Sequence, residues 1–180
     1  LARLTQILTR MTEAARLEQG LSDVETERFD LVPVIAGCVD GYRLAYPQAD
    51  LHLDSVDTPV MIQGAPDLMA QMLDKLVANA VEFAHGARID MRLEVVADAV
   101  RLAVANVGPR LPEGMRERLF ESMVSVRAGG DADTPHLGLG LHIVRVIAKF
   151  HGGTARADNR ADAEGVEITV TLPLALRVES

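Results

Sequence analysis

Apolar residues at Leu1, Leu4, Leu8, Met11 and Ala15 are separated by three, four, three and four positions. That heptad seam predicts an amphipathic helix over residues 1–20, stopped by Gly20. Arg3, Gln6, Arg10, Glu13 and Arg16 take the other face. A seam this narrow, at the end of a chain, predicts packing against partner helices in a bundle. The alternative is an ordinary helix folded onto its own domain. Residues 21–30 are acidic and polar (Ser22, Asp23, Glu25, Glu27, Asp30) and read as a linker entering a short strand near Phe29–Leu31.

From Val32 to Tyr46 the pattern turns helical, with Pro33 tolerated in the first turn. Asp50–Ser55 alternates as a strand, and Pro59–Gln63 reads as another. Pro66 opens a long helix whose broad apolar face carries Leu68, Met69, Met72, Leu73, Leu76, Val77 and Ala80. Arg88–Val96 and Val100–Asn106 form a hairpin across Ala97-Asp98-Ala99. Gly108–Pro112 is a turn and Glu113–Phe120 a short helix. Residues 125–136 lack periodicity and read as a mobile loop. Leu139–Phe150 is a helix ended by His151-Gly152-Gly153, and Thr154–Asn159 and Val166–Pro173 are closing strands. The expected fold class is α+β: a two-layer α/β sandwich with a mixed, largely antiparallel sheet covered by helices, spanning residues 31–176.

Composition narrows the function. The chain has 180 residues, 48% hydrophobic and 24% charged, which excludes disorder as the main state. Its net charge is −8, and it has 4 Phe, 2 Tyr and no Trp, a poor basis for nucleic-acid binding. Residues 1–90 hold 7 Lys and Arg against 14 Asp and Glu, while residues 91–180 hold 11 against 12. A bound anion is therefore expected in the second half. The single cysteine, Cys38, excludes an intrachain disulfide and a cysteine-based zinc site, and fits a reducing compartment. No run of ~18 apolar residues is present, so no membrane-spanning helix is expected. The chain lacks an initiator Met and starts inside a periodic pattern, so it reads as a piece of a longer protein.

Three segments carry polar chemistry. Asn79 sits in an otherwise core-like helical run, where its amide needs a partner or a ligand. Asn106 ends a strand and is followed by Gly108, which lets backbone approach a flat ligand closely. His136-Leu137-Gly138-Leu139-Gly140-Leu141 opens a helix, where free backbone N–H groups make an anion seat. Taken singly, these are a helix-surface residue, a turn and a loop–helix junction.

Their order changes the reading. The chain resembles the catalytic, ATP-binding domain of bacterial two-component sensor histidine kinases, within the gyrase/Hsp90/histidine-kinase/MutL superfamily (the Bergerat-type ATP-binding fold). The resemblance covers essentially the whole chain. It implies that residues 1–20 are the second helix of a dimerisation and phosphotransfer hairpin, with Arg16-Leu17-Glu18 and Phe29-Asp30-Leu31 at the passage into the ATP domain. It implies that Asn79 is the N-box residue that ligates Mg2+, which makes it both the catalytic and the metal-binding candidate. Asn106 takes the position that accepts the adenine amino group, and Gly108 and Leu111 belong to the same ATP-binding turn. Leu119-Phe120-Glu121 resembles the F box, with Phe120 at the site. His136, Leu137, Gly138, Leu139, Gly140 and Leu141 match the lid and glycine box that cradle phosphates.

The resemblance further implies ATP and Mg2+ as cofactors. It implies transfer of the γ-phosphate to a histidine on a preceding helix, relay to an Asp on a response regulator receiver domain, and homodimerisation through the hairpin. A cytoplasmic domain of an inner-membrane-anchored protein is expected, with no nucleic-acid partner.

Several positions depart from the family pattern. Asn106 stands where Asp is usual, His136 where a glycine is usual, and Lys75 where Asn or His is common. Glu82 replaces a phosphate-contacting basic residue, Glu167 a small hydroxyl residue near adenine, and Met123 an aromatic. A degenerate docking module that binds nucleotide weakly, without kinase activity, is the alternative these departures raise. ATP-hydrolysing relatives place a Glu general base four residues before the Asn. Lys75 cannot serve there while charged, which disfavours water as the acceptor. None of His52, His85, His136, His142 and His151 precedes an acidic residue as the family's phosphoacceptor does.

Overall fold

The computed structural model describes residues 12, 15–17, 19–121 and 139–175, with the side chain of Leu139 excepted. Residues 12, 15–17 and 19–20 are helical, and most of the heptad seam lies outside the described residues. After a 3-10 turn at Leu21–Asp23 come β1 (Glu27–Asp30), α1 (Leu31–Ala45), β2 (Asp50–Ser55) and β3 (Met61–Gly64). Then follow α2 (Pro66–Phe83), β4 (Arg88–Val96), β5 (Ala99–Val107), α3 (Met115–Arg118), α4 (Leu139–Phe150), β6 (Thr154–Asn159) and β7 (Gly165–Pro173).

Five strands form one mixed sheet in the order β2-β4-β5-β7-β6. Only β2 and β4 are parallel, and the other pairs are antiparallel. β1 and β3 pair separately. One face of the sheet is apolar: Ile89, Met91, Leu93, Leu102, Val104, Ile168, Val170 and Leu172 are buried in a common core. α1, α2 and α4 contribute Leu31, Ile35, Met72, Leu76, Ile143, Val144 and Ile147 to the same core. The alternate positions carry polar groups such as Arg92, Arg101, Glu94 and Arg156, as a sheet covered on one side requires. The expected two-layer sandwich is thus the observed architecture.

Local boundaries differ where a side chain decides them. The first strand lies at Glu27–Asp30 rather than Phe29–Leu31, because Asp30 caps α1. Its carboxylate accepts from the N–H of Val32 at 3.1 Å and of Val60 at 2.9 Å, which ends the strand and starts the helix together. α2 begins at Pro66, whose fixed φ suits the first helical position. The short helix expected over Glu113–Phe120 is only Met115–Arg118. Gly114 precedes it in the left-handed region (φ 77°), and Leu119 and Phe120 turn into the core.

His151 lies in the turn after α4, as expected, and is buried there. Its Nδ1 donates to the carbonyl of Ile147 at 2.8 Å, and its Nε2 accepts from the N–H of Ala65 at 3.1 Å. A Cβ on Gly64 would collide with the ring. This histidine ties the end of α4 to the start of α2. Burial pushes its pKa below the ordinary value, against the pull of the hydrogen bond to the Ile147 carbonyl.

Candidate functional site

Asn79 lies in the last turns of α2, half-buried. Phe83 is one turn further on the same face, and there α2 meets the end of β5. The N–H of His85 donates to the carbonyl of Val107 at 2.7 Å. Gly108 sits so close to the Phe83 carbonyl that a Cβ could not be accommodated without backbone movement. This contact brings the Asn79 end of the helix to the Asn106–Gly108 end of the strand.

Asn106 is buried, with 4% of its surface exposed. Its Nδ2 donates to the carbonyl of Val107 at 3.3 Å. Its Oδ1 accepts no hydrogen bond from any described residue, so a strand-end acceptor remains for a ligand donor. On the other side, Gly165 (φ 147°) packs against the Asn106 carbonyl, and the N–H of Gly108 donates to the Glu164 carbonyl at 3.2 Å. The 160–164 turn is anchored in its turn. Arg160 reaches Asp90 on β4 at 3.2 Å and Asp162 at 2.7 Å. The guanidinium holds the exposed Asp162 carboxyl at about 2, below the usual carboxylate range.

Beyond Gly108 the chain becomes a strap over residues 109–118 that crosses the end of β7 to reach β6. Leu111 is half-buried against the core. Its N–H donates to Asn159 Oδ1 at 2.7 Å, and its carbonyl accepts from Asn159 Nδ2 at 3.2 Å. Arg116 pairs with Asp158 at 3.3 Å. An open cavity of about 520 Å³ lies between this strap and Asn159, lined by Leu111, Glu113, Arg116 and Glu117.

Just beyond the strap lies Phe120, which is buried (3% exposed). His142 Nδ1 donates to the Phe120 carbonyl at 3.3 Å and so joins this segment to the first turn of α4. Gly140 and Leu141 lie in that turn, where backbone N–H groups have no partner within the helix. The Leu141 side chain points into the core.

The structure therefore groups Asn79, Asn106 and Gly108, and joins Phe120 to the start of α4. His136, Leu137, Gly138, Met123 and the 125–136 loop lie outside the described residues, as does the Leu139 side chain. Lys75 and Glu82 each have an interaction partner and are not free charges. Glu167 requires a correction. It pairs with Ala105, while Asn106 pairs with Val166. Successive residues of a strand point to opposite faces, so Glu167 lies on the face away from Asn106 and not beside the candidate base site. Val166 takes that position. Sequence reasoning also missed Asn159, Glu164 and Gly165. The glycine after a polar turn was the one available signal.

Comparison with known proteins identifies the family of the fold. The family model described as "Histidine kinase-, DNA gyrase B-, and HSP90-like ATPase" matches residues 64–176. The chain is similar to the sensor protein ChvG of Agrobacterium fabrum, 29% identical over 96% of this chain and 31% of that protein. It is also similar to the sensor protein KdpD of Escherichia coli, 30% identical over 94% of this chain and 19% of that protein. The chain thus spans about a third or less of these curated relatives. Among solved structures, the nucleotide-free catalytic domain of the histidine kinase ThkA superposes with a TM-score of 0.71 at 26% identity, over 83% of this chain and 98% of that one.

Proposed function

We propose, from the premise that the chain belongs to the histidine kinase-, DNA gyrase B- and HSP90-like ATPase family, that it is the ATP-binding kinase domain of a sensor histidine kinase. The observation that carries this reading is Asn106. A buried amide at a strand end, with its oxygen left open and its backbone locked on both sides, is a rigid acceptor for the amino group of adenine. Gly108 gives the base a close backbone approach, and Leu111 supplies an apolar wall.

The phosphates would run toward the first turn of α4, where the N–H groups of Gly140 and Leu141 suit an anion. The family pattern would assign His136, Leu137, Gly138 and Leu139 to phosphate binding as well, and Phe120 to the nucleotide site. Mg2+ fits Asn79, whose amide offers one hard carbonyl oxygen on a half-buried helix face. This ion takes only one or two protein oxygens when substrate phosphates complete its shell. The chemistry it supplies when bound is neutralisation of phosphate charge.

Catalysis by this chain then consists of positioning and electrostatics. The γ-phosphoryl group would pass to an imidazole nitrogen of a histidine on a preceding helix. An N–P bond forms, the bond to the bridging oxygen of ADP breaks, ADP leaves, and the imidazole proton goes to solvent. Lys75, one turn before Asn79, is no general base while charged, which favours histidine over water as acceptor. Relay to an Asp of a response regulator, dimerisation through a helical hairpin and a cytoplasmic position beneath a membrane anchor complete the proposal for the whole protein. No helix among the described residues is long and apolar enough to cross a membrane.

Calorimetric titration of the purified chain with ATP, with and without Mg2+, tests the reading. One-to-one binding that Mg2+ strengthens and Asn79→Ala weakens is expected. A folded chain that gives no heat at millimolar ATP would overturn it and favour the docking-module alternative.

A further inference from the structure

We infer that Asn159 is a positioning residue for nucleotide binding, acting through Leu111; the inference rests on the ATP-binding reading above. The register puts Asn106, Val166 and Asn159 in one row across β5, β7 and β6. Residues directly opposite in antiparallel strands share a face, so all three point toward the helical layer. Two strand spacings, about 10 Å, separate the two asparagines. The strap spans that gap. It leaves the row at Asn106 and is caught again at Asn159, 48 positions from Leu111 in sequence.

The catch has a specific form. Asn159 Oδ1 takes the Leu111 N–H and Nδ2 gives to the Leu111 carbonyl. One side-chain amide thereby stands in for the paired backbone groups of a neighbouring strand. Exchanging its oxygen and nitrogen would set donor against donor and acceptor against acceptor, so the orientation of the amide is determined by the pair. The two bonds fix both the distance and the rotation of Leu111 relative to Asn106. Val166 floors the space between them. Among the described residues, the other polar link from β6 to the strap is the Arg116–Asp158 ion pair, with side chains 51% and 38% exposed, and such pairs contribute little. Asn159 is thus the principal group setting the width of the base site.

The test compares wild type, Asn159→Ala and Asn159→Asp by calorimetry with ATP and with ADP, alongside thermal unfolding and amide hydrogen exchange. Loss of both bonds in Asn159→Ala is expected to weaken ATP and ADP alike, by about tenfold, because the base end is common to both. The Leu111 amide should lose protection while the melting temperature changes little. Asn159→Asp keeps the acceptor for the Leu111 N–H but not the donor to its carbonyl, and should bind between the other two. Equal affinity of wild type and Asn159→Ala would overturn the inference and leave the ATP-binding reading intact. So would a loss that merely follows a falling folded fraction. Absence of ATP binding by the wild type would overturn both.

Discussion

The chain leaves β5 through Asn106–Gly108 and continues as the 109–118 strap, and the two stretches are held by different means. Asn106–Gly108 is fixed by backbone against backbone: the α2 end on one side, Glu164–Gly165 on the other, with two glycines where a Cβ would collide. The strap is held by side chains, chiefly one asparagine amide and one exposed ion pair. The first construction leaves no freedom and suits a group that must discriminate by geometry. The second can yield at small cost, as befits a wall that must admit and release a ligand. The comparison teaches that the recognition point and its surround need not share rigidity, even three residues apart.

Breaking the rigid side should have the largest effect. Gly108→Ala forces the Phe83 carbonyl away and is expected to cost about 2–3 kcal/mol of stability and to abolish measurable ATP binding, checked by urea unfolding and calorimetry. His151→Leu separates stability from binding, because His151 holds the opposite end of α2. Loss of its two hydrogen bonds, with the Ala65 N–H left buried, should cost about 2 kcal/mol, while the folded fraction keeps its ATP affinity.

His151 also carries a pH signature. Its folded pKa lies below the ordinary value, so the unfolded chain binds a proton first as pH falls. Its contribution is complete above about pH 6.5 and declines as pH drops from there toward the folded pKa. The stability difference between wild type and His151→Leu, measured in urea at stepped pH, should shrink through that window. Asn159→Ala comes next, with its roughly tenfold loss of nucleotide affinity and little change in stability. The smallest effect belongs to Arg116→Ala. An exposed pair of this kind is worth at most about 0.5–1 kcal/mol, and both melting temperature and ATP affinity should stay near wild type at physiological salt.

How much of this was legible in the sequence follows the same division. Periodicity located α2, α4 and the strands of the large sheet, because a one-sided core imposes a period on the order of apolar and polar residues. Asn79 and Asn106–Gly108 stood out as polar residues and a glycine at element ends. Asn159 did not, since an asparagine closing a strand is commonplace and its partner is backbone far away in sequence. His151 looked like a turn residue, and only tertiary packing buries it. The Glu167 expectation failed for a sharper reason. A neighbouring position on a strand is a position on the other face, and only the register with β5 decides which of Val166 and Glu167 meets Asn106.

The central claim is that adenine, metal and phosphates meet this chain at Asn106–Leu111, Asn79 and the start of α4. Amide NMR of the labelled chain, titrated with Mg2+ and ATP, tests it most directly. The account predicts saturable shifts at the Asn106 and Asn79 side-chain amides, at Gly108, Leu111 and Gly140, with Arg92, Arg101 and Arg156 on the opposite face of the sheet unmoved. Shifts confined to that opposite face, or none at millimolar ATP in a folded sample, would contradict it.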